Sequence, residues 1–254
     1  MTFVVITILI ACLPVMAVRG RRAAWPPGLP VPRPRLVAAG GTYEGSHGHP
    51  SDAYVVQERL IAVADGAGAP GLGQTAAALA LSAVVAAGPQ HTGPLEEDLE
   101  GCAQAAHRAV RAAAGRDPVM SGLVSTLDLI MLDPGESPRL CFVHLGNGAI
   151  WHCAKGETPQ PLTTSHSFDG GPPPRGIGSA SAPEPEVGTV SLRPGDRVVV
   201  VTDGVIQAVG VPRMTELFTV GSSPAACLDR LYDEMAAVEP KDDATVVIAE
   251  FVTV

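Results

Sequence analysis

Two apolar runs that each stop at an Asp-Gly pair constrain this chain more than any other feature. Leu60-Ile61-Ala62-Val63-Ala64 leads into Asp65-Gly66, and Val198-Val199-Val200-Val201 leads through Thr202 into Asp203-Gly204. Both runs are too short for helices and apolar at consecutive positions, so each is predicted to be a buried strand. A third segment, Lys241-Asp242-Asp243-Ala244-Thr245-Val246-Val247, runs the other way, acids first and apolar residues after. A fourth acid, Asp52, stands just ahead of Ala53-Tyr54-Val55-Val56. Carboxylates at the mouths of buried strands can converge at one end of a sheet sandwich. Brought close, they repel unless a cation neutralises them. Oxygen-only ligands favour hard cations such as Mg²⁺ or Mn²⁺ over zinc. Taken singly, each Asp-Gly reads first as a turn after a strand. The set is what points to chemistry.

The rest of the chain reads as blocks of strands beside blocks of helix. Residues 73–87 are Ala/Leu-rich and predict a helix apolar on most faces. Residues 94–114 predict a second, with Glu96, Glu97, Asp98 and Glu100 at its start and Arg108 and Arg111 toward its end, an order that complements the helix dipole. Apolar runs at 123–132, 140–145 and 149–153, divided by Pro/Gly turns, predict consecutive antiparallel strands. Residues 165–185, rich in Gly, Pro and Ser, predict a long loop; 197–202 and 245–251 predict further strands, with a helix at 225–238. This block order suggests an α+β layered fold.

Composition narrows the function. The 254 residues suffice for one sizeable domain, and 46% apolar content excludes overall disorder. The net charge is −9, and no Lys/Arg cluster is interleaved with aromatics, so nucleic acid is not an expected partner. The five cysteines, Cys12, Cys102, Cys141, Cys153 and Cys227, form no C-x-x-C pair and are read as reduced, mostly buried thiols. Residues 1–18 carry no charge and are almost wholly apolar, and Arg19, Arg21 and Arg22 follow them. They read as a single N-terminal membrane anchor with the remaining chain in the cytoplasm. A misassigned start and a signal cleaved after Val15-Met16-Ala17 stay open as alternatives. Residues 19–35, with five prolines among arginines, read as an extended linker, so the folded domain is expected from Leu36 onward.

Over 36–254 the chain resembles the type 2C, metal-dependent (PPM) serine/threonine protein phosphatases of the bacterial type. The resemblance rests on blocks in order. These are Val63-Ala64-Asp65-Gly66, Val124-Ser125-Thr126, Gly146-Asn147-Gly148-Ala149, Ser165-His166-Ser167, the run from Pro194 to Gly204, and Asp242-Asp243-Ala244-Thr245-Val246. It implies a four-layer αββα sandwich, two antiparallel β-sheets flanked by helix pairs, with a two-metal site at one end. It implies that Asp65 bridges two Mg²⁺ or Mn²⁺ ions, that the Gly66 carbonyl ligates one, that Asp203 and Asp242 hold the other, and that Asp52 acts mainly through metal-bound water. The implied reaction is hydrolysis of phosphoserine and phosphothreonine on proteins by a metal-activated water. The implied partners are phosphoproteins made by a serine/threonine kinase.

The chain departs from the family pattern in four places. His47 stands where an arginine would grip the phosphate, and Ser51 where an acid or amide precedes Asp52. Ala67 follows the first Asp-Gly where some members have a histidine, and Asn147 replaces a hairpin aspartate. These departures motivate the alternative of a pseudophosphatase, a non-catalytic regulatory domain with the same fold. Gly66-x-Gly68-x-x-Gly71 also fits a dinucleotide fingerprint, but an acid precedes it and no strand ending in Asp or Glu follows at the needed distance. Cys102 and Arg108 fit a cysteine-phosphatase spacing, but inside a predicted helix. His107, His144 and His152 are read as structural; His47, His49 and His166 fall near the inferred site and are left open.

Overall fold

Consecutive apolar residues in the strands of this protein serve two cores at once. In the computed structural model, which describes residues 33–88, 93–133, 137–166 and 176–253, Ile61 and Val63 pack between two sheets while Leu60, Ala62 and Ala64 pack under helices. Val198 and Val200 share the inter-sheet core with Val247, Ala249 and Phe251, whereas Val199, Val201, Val246 and Ile248 face a second helical layer. A strand buried on both faces has no polar face to alternate, which explains the unbroken apolar runs.

In chain order the strands are β1 (Pro34–Tyr43), β2 (Asp52–Val56), β3 (Leu60–Ala67), β4 (Val124–Ser125), β5 (Leu127–Asp133), β6 (Arg139–Leu145), β7 (Ala149–Cys153), β8 (Gln160–Pro161), β9 (Glu186–Ser191), β10 (Arg197–Val201) and β11 (Ala244–Thr253). The helices are α1 (Gly73–Ala87), α2 (Leu95–Arg116), α3 (Asp203–Val209), α4 (Val211–Phe218) and α5 (Pro224–Val238). One sheet has the order β1-β11-β10-β7-β8, and the other β2-β3-β5-β6-β9 with β4 paired to β3. The named pairings are antiparallel, for instance β3 with both β2 and β5. This is the predicted α+β sandwich, with α1 and α2 on one face and α3, α4 and α5 on the other.

Helix α1 lies close against its sheet because its buried stripe is small: Gly73, Ala76, Ala77, Ala80, Leu81 and Val84. Helix α2 carries Glu96, Glu97 and Asp98 in its first turn and Arg116 in its last. Helix α5 is capped by Ser223, whose hydroxyl accepts from the Ala226 N–H at 3.2 Å.

Several expectations shift. Strand β1 begins at Pro34, inside the segment read as linker; proline is tolerated at the first residue of an edge strand, where its missing donor is not needed. The run 123–132 is broken at Thr126, whose side chain turns to a different task described below. Asp203 does not sit at a strand end but opens α3, and the second helical layer has three members rather than a pair. Strand β9 and helices α3 and α4 were not anticipated. Strand β9 is partly exposed throughout, and α4 is only eight residues long. Helices that short are held by packing, here of Met214, Leu217 and Phe218, rather than by propensity. Cys102, Cys141, Cys153 and Cys227 are free and buried, as expected. The anchor reading of 1–18, Cys12, most of the linker and Ser167 lie outside the described residues. No helix among the described residues is long and apolar enough to cross a membrane.

Candidate metal centre and active site

The strand pairing itself brings the first two acids together. Asp52 and Asp65 are directly opposed in the β2–β3 register, close enough that the charge of Asp52 raises Asp65. The backbone of Asp65 is clamped by the Val124-Ser125-Thr126 block. Its N–H donates to the Thr126 hydroxyl at 2.9 Å; its carbonyl accepts from the Thr126 N–H at 2.8 Å and from the Ser125 hydroxyl at 3.1 Å. That is why the apolar run breaks at Thr126.

The other two acids come from the second sheet. The Thr202 hydroxyl donates to Asp52 at 2.9 Å and accepts from the Thr245 N–H at 2.9 Å, which ties the start of α3 and β11 to β2. Asp203 follows Thr202 immediately, and its Oδ2 accepts from Asn147 Nδ2 at 2.7 Å and from Gln207 Nε2 at 2.8 Å. Asp242 precedes β11. Its buried neighbour Asp243 turns its carboxylate toward the loop between β1 and β2, accepting from Gly45 N–H at 3.0 Å and Ser51 N–H at 2.9 Å. The same loop hangs from residues 240 and 241 through bonds from Ser46 N–H to the Pro240 carbonyl and from His47 N–H to the Lys241 carbonyl, both 3.0 Å. His47 therefore sits at the exposed rim beside Asp242.

Both Asp-Gly glycines let backbone touch backbone. A methyl group at Gly66 would overlap the Gly73 carbonyl, and one at Gly204 would overlap the Asp243 carbonyl. Each acid is thus fixed by a neighbour with no room for a side chain.

The electrostatics are those of uncompensated carboxylates. Burial first, then the charges of Asp52, Asp203 and Asp242, pushes Asp65 up to about 9. Burial also raises Asp52, to about 7, against the lowering effect of bonds from Thr245 and Thr202. Asp203 is raised by burial and then by Asp242. Among the described residues, no ion pair joins any of the four acids to Lys, Arg or His. Hard cations fit this oxygen-only, self-repelling set. No three of the four acids bring ligand atoms within 4.8 Å of one another. A cleft of about 260 Å³, lined by Gly204, Gln207, Lys241 and Asp242 among others, opens beside them. A wider hollow of about 470 Å³ against Tyr54, Leu81 and Val85 is apolar and has no carboxylate, so it does not compete as the reaction site.

Sequence reading named Asp52, Asp65, Gly66, Asp203, Asp242 and His47, and all lie around this one end of the sandwich. It missed Thr126, Thr202, Asp243 and Gln207, which aim the acids. Thr126 and Asp243 stand inside the blocks quoted for the resemblance, and Thr202 and Gln207 beside the second Asp-Gly pair, but no pattern there marks any of them as aiming an acid. Asn147, noted as a departure, bonds directly to Asp203. The dinucleotide reading fails because the sheet around Gly66 is antiparallel. Cys102 is buried inside α2, so the cysteine-phosphatase spacing is a coincidence. His107 and His152 are structural, meeting the Gly178 N–H at 3.2 Å and the Asp196 carboxylate at 3.2 Å.

The fold is that of known bacterial phosphatases. The serine/threonine phosphatase PstP/Ppp of Mycobacterium tuberculosis is 24% identical, with a TM-score of 0.75 over 85% of this chain and 98% of its own. The PstP catalytic domain in complex with 2 manganese ions is 24% identical and aligns with a TM-score of 0.76, covering 86% of this chain and 99% of that one. The PPM Ser-Thr phosphatase MsPP from Mycobacterium smegmatis, in complex with cacodylate, gives 23% identity and 0.72, covering 85% and 98%. No curated protein matches the sequence. The family description Protein phosphatase 2C matches residues 48–239, well over half of the chain and including three of the four acids, so this protein belongs to the protein phosphatase 2C family.

Proposed function

We propose that this chain is a working, metal-dependent phosphatase that removes phosphate from phosphoserine and phosphothreonine on proteins, the products of a serine/threonine kinase. The supporting observation is the convergence of Asp52, Asp65, Asp203 and Asp242 with no described cation to neutralise them. In this reading Asp65 and the Gly66 carbonyl would hold one Mg²⁺ or Mn²⁺, and Asp65, Asp203 and Asp242 would hold a second. When bound, such ions polarise phosphoryl oxygens and bring the proton loss of water near neutral pH. Asp52, aimed by Thr202, orients water at the centre. His47 takes the phosphate-gripping place at the rim, as a weaker and pH-dependent substitute for arginine. Asn147 and Gln207 hold Asp203 in a fixed direction by donating to one oxygen, which leaves its other oxygen for a ligand.

The pseudophosphatase alternative draws on His47, Ser51, Ala67 and Asn147. One experiment separates the two. Calorimetry on metal-stripped protein should show at least two Mn²⁺ ions, and the loaded protein should hydrolyse an aryl phosphate and a phosphopeptide until EDTA stops it. One ion or none, with no turnover, would establish the regulatory reading; equal turnover with and without metal would defeat the proposed chemistry.

The uncharged residues 1–18 and the arginines after them motivate a second part of the proposal, a membrane tether for a cytoplasmic catalytic domain. Full-length protein should stay with membranes through a high-salt wash, whereas a chain starting at Leu36 should be soluble. Full-length protein in the soluble fraction would remove the tether.

A further inference from the structure

A second cluster of ligating side chains lies outside the four-carboxylate set, and its chemistry is different. His144, at the end of β6, is directly opposed to Glu186 of β9 in the strand register. His166 stacks beside it, ring centroids 4.7 Å apart and tilted by 53°. One ligand atom from each of His144, His166 and Glu186 lies within 4.8 Å of the others, a grouping no other described His, Cys, Asp or Glu residues achieve. His144 is fully buried, and the other two are partly exposed, so the cluster has a closed side and an open side.

Each member is held in place by a group that is not itself in the cluster. The Asp128 carboxylate lies 2.6 Å from His144 Nδ1 and keeps a proton on that nitrogen, while Nε2 donates to the Thr164 carbonyl on the cluster side. A carboxylate behind an imidazole in this way is the usual outer support of a histidine metal ligand. Glu186 Oε2 accepts from the Thr164 N–H at 2.9 Å. His166 is pinned by its own N–H to the Gly146 carbonyl at 2.7 Å, with the Gly146 N–H 3.4 Å from its Nδ1. The Thr164 carbonyl, 3.1 Å from His144 Nε2, adds a backbone oxygen on the same side.

We infer that His144, His166 and Glu186 form a binding site for one borderline transition-metal ion of the Zn²⁺ type, distinct from the carboxylate centre. Two imidazoles and one carboxylate match the nitrogen-rich sets that zinc prefers, and the open side leaves a position for water. Mg²⁺ and Mn²⁺ favour the all-oxygen set instead, so the two sites sort ions by ligand chemistry. Binding replaces the Nε2 proton that His144 otherwise directs at the Thr164 carbonyl, and that proton leaves to solvent. The inference does not depend on the phosphatase reading, because a pseudophosphatase would carry the same three residues.

The test uses the full chain, stripped of metal and then saturated with Mn²⁺ to fill the carboxylate centre. Wild-type protein should take up one further equivalent of Zn²⁺ by calorimetry. Co²⁺ as a probe should give the intense visible bands of a low-coordinate site with imidazole ligands. His166→Ala and Glu186→Gln, both at partly exposed positions, should each weaken that equivalent at least about tenfold and leave the Mn²⁺ equivalents unchanged. Asp128→Asn, checked for folding by near-UV circular dichroism, should weaken it by about 10–100-fold through His144. Zn²⁺ uptake of unchanged stoichiometry and affinity in both His166→Ala and Glu186→Gln would overturn the site, as would a wild-type protein that takes up no further equivalent.

Discussion

Asp65→Asn should lower phosphatase turnover by about three orders of magnitude while making the metal-free protein more stable. The loss follows from the role proposed for a shared carboxylate: an amide keeps the shape but supplies no charge to a metal pair. Several kcal/mol of transition-state stabilisation depend on such ions; about 4 kcal/mol corresponds to roughly 10³-fold in rate. The gain in stability has the same origin. Unfolded, the Asp65 carboxyl loses its proton near 3.8, whereas folded and metal-free it keeps it up to about 9. The folded state therefore binds more protons than the unfolded state across that window, and metal-free stability falls as pH rises through it. The metal-free Asp65→Asn protein should melt above wild type, with a gap that widens from pH 5 to pH 8. Adding Mn²⁺ should raise the wild-type melting temperature more at pH 8 than at pH 5, because the ion replaces the proton. A rate assay with Mn²⁺ and thermal melts at the two pH values check both halves. Wild-type turnover in the variant would remove Asp65 from the centre, and a variant that melts below wild type without metal would show that the acid is not held at a cost.

Gly66→Ala should be among the most damaging single methyl groups at the described glycines. Strand β3 and helix α1 meet there through backbone alone, with the Gly73 carbonyl where the new carbon would lie. Neither partner is the end of a flexible side chain, so the strand end or the helix start must move. Overpacking against a fixed neighbour costs about 3 kcal/mol or more, and at ~2–4 °C per kcal/mol for a domain this size the melting temperature should fall by about 6–12 °C. Turnover should fall too, because Asp65 is the next residue along. Gly101 gives the opposite sign: it is exposed within α2 with open space around it, so Gly101→Ala should stabilise by about 0.5–1 kcal/mol through helix propensity. Equal melting temperatures for Gly66→Ala and wild type would show that the two backbones can separate freely.

The sequence by itself determined the strands that carry Asp65 or lead into Asp203 and out of Asp242, the three longest helices and the α+β class. Those features are local: strand length, unbroken apolar runs, and acids placed before bases along a helix. It also pointed to the four acids, because each sits at a boundary between an apolar run and a turn. Tertiary structure alone decided what aims those acids. Thr202 reaches Asp52 across 150 positions of chain, and Ser51 reaches Asp243 across 192. Such pairs leave no periodic trace in the sequence. The same limit hid the cluster at His144. Each of its histidines looks structural or ambiguous alone, and no motif in the sequence marks Glu186. Only the pairing of β6 with β9, and the return of residues 164–166 over the end of that pair, bring three ligand atoms within 4.8 Å. A ligand set is a statement about distance, and distance between residues 144, 166 and 186 is set by how the sheet closes, not by what precedes or follows each residue.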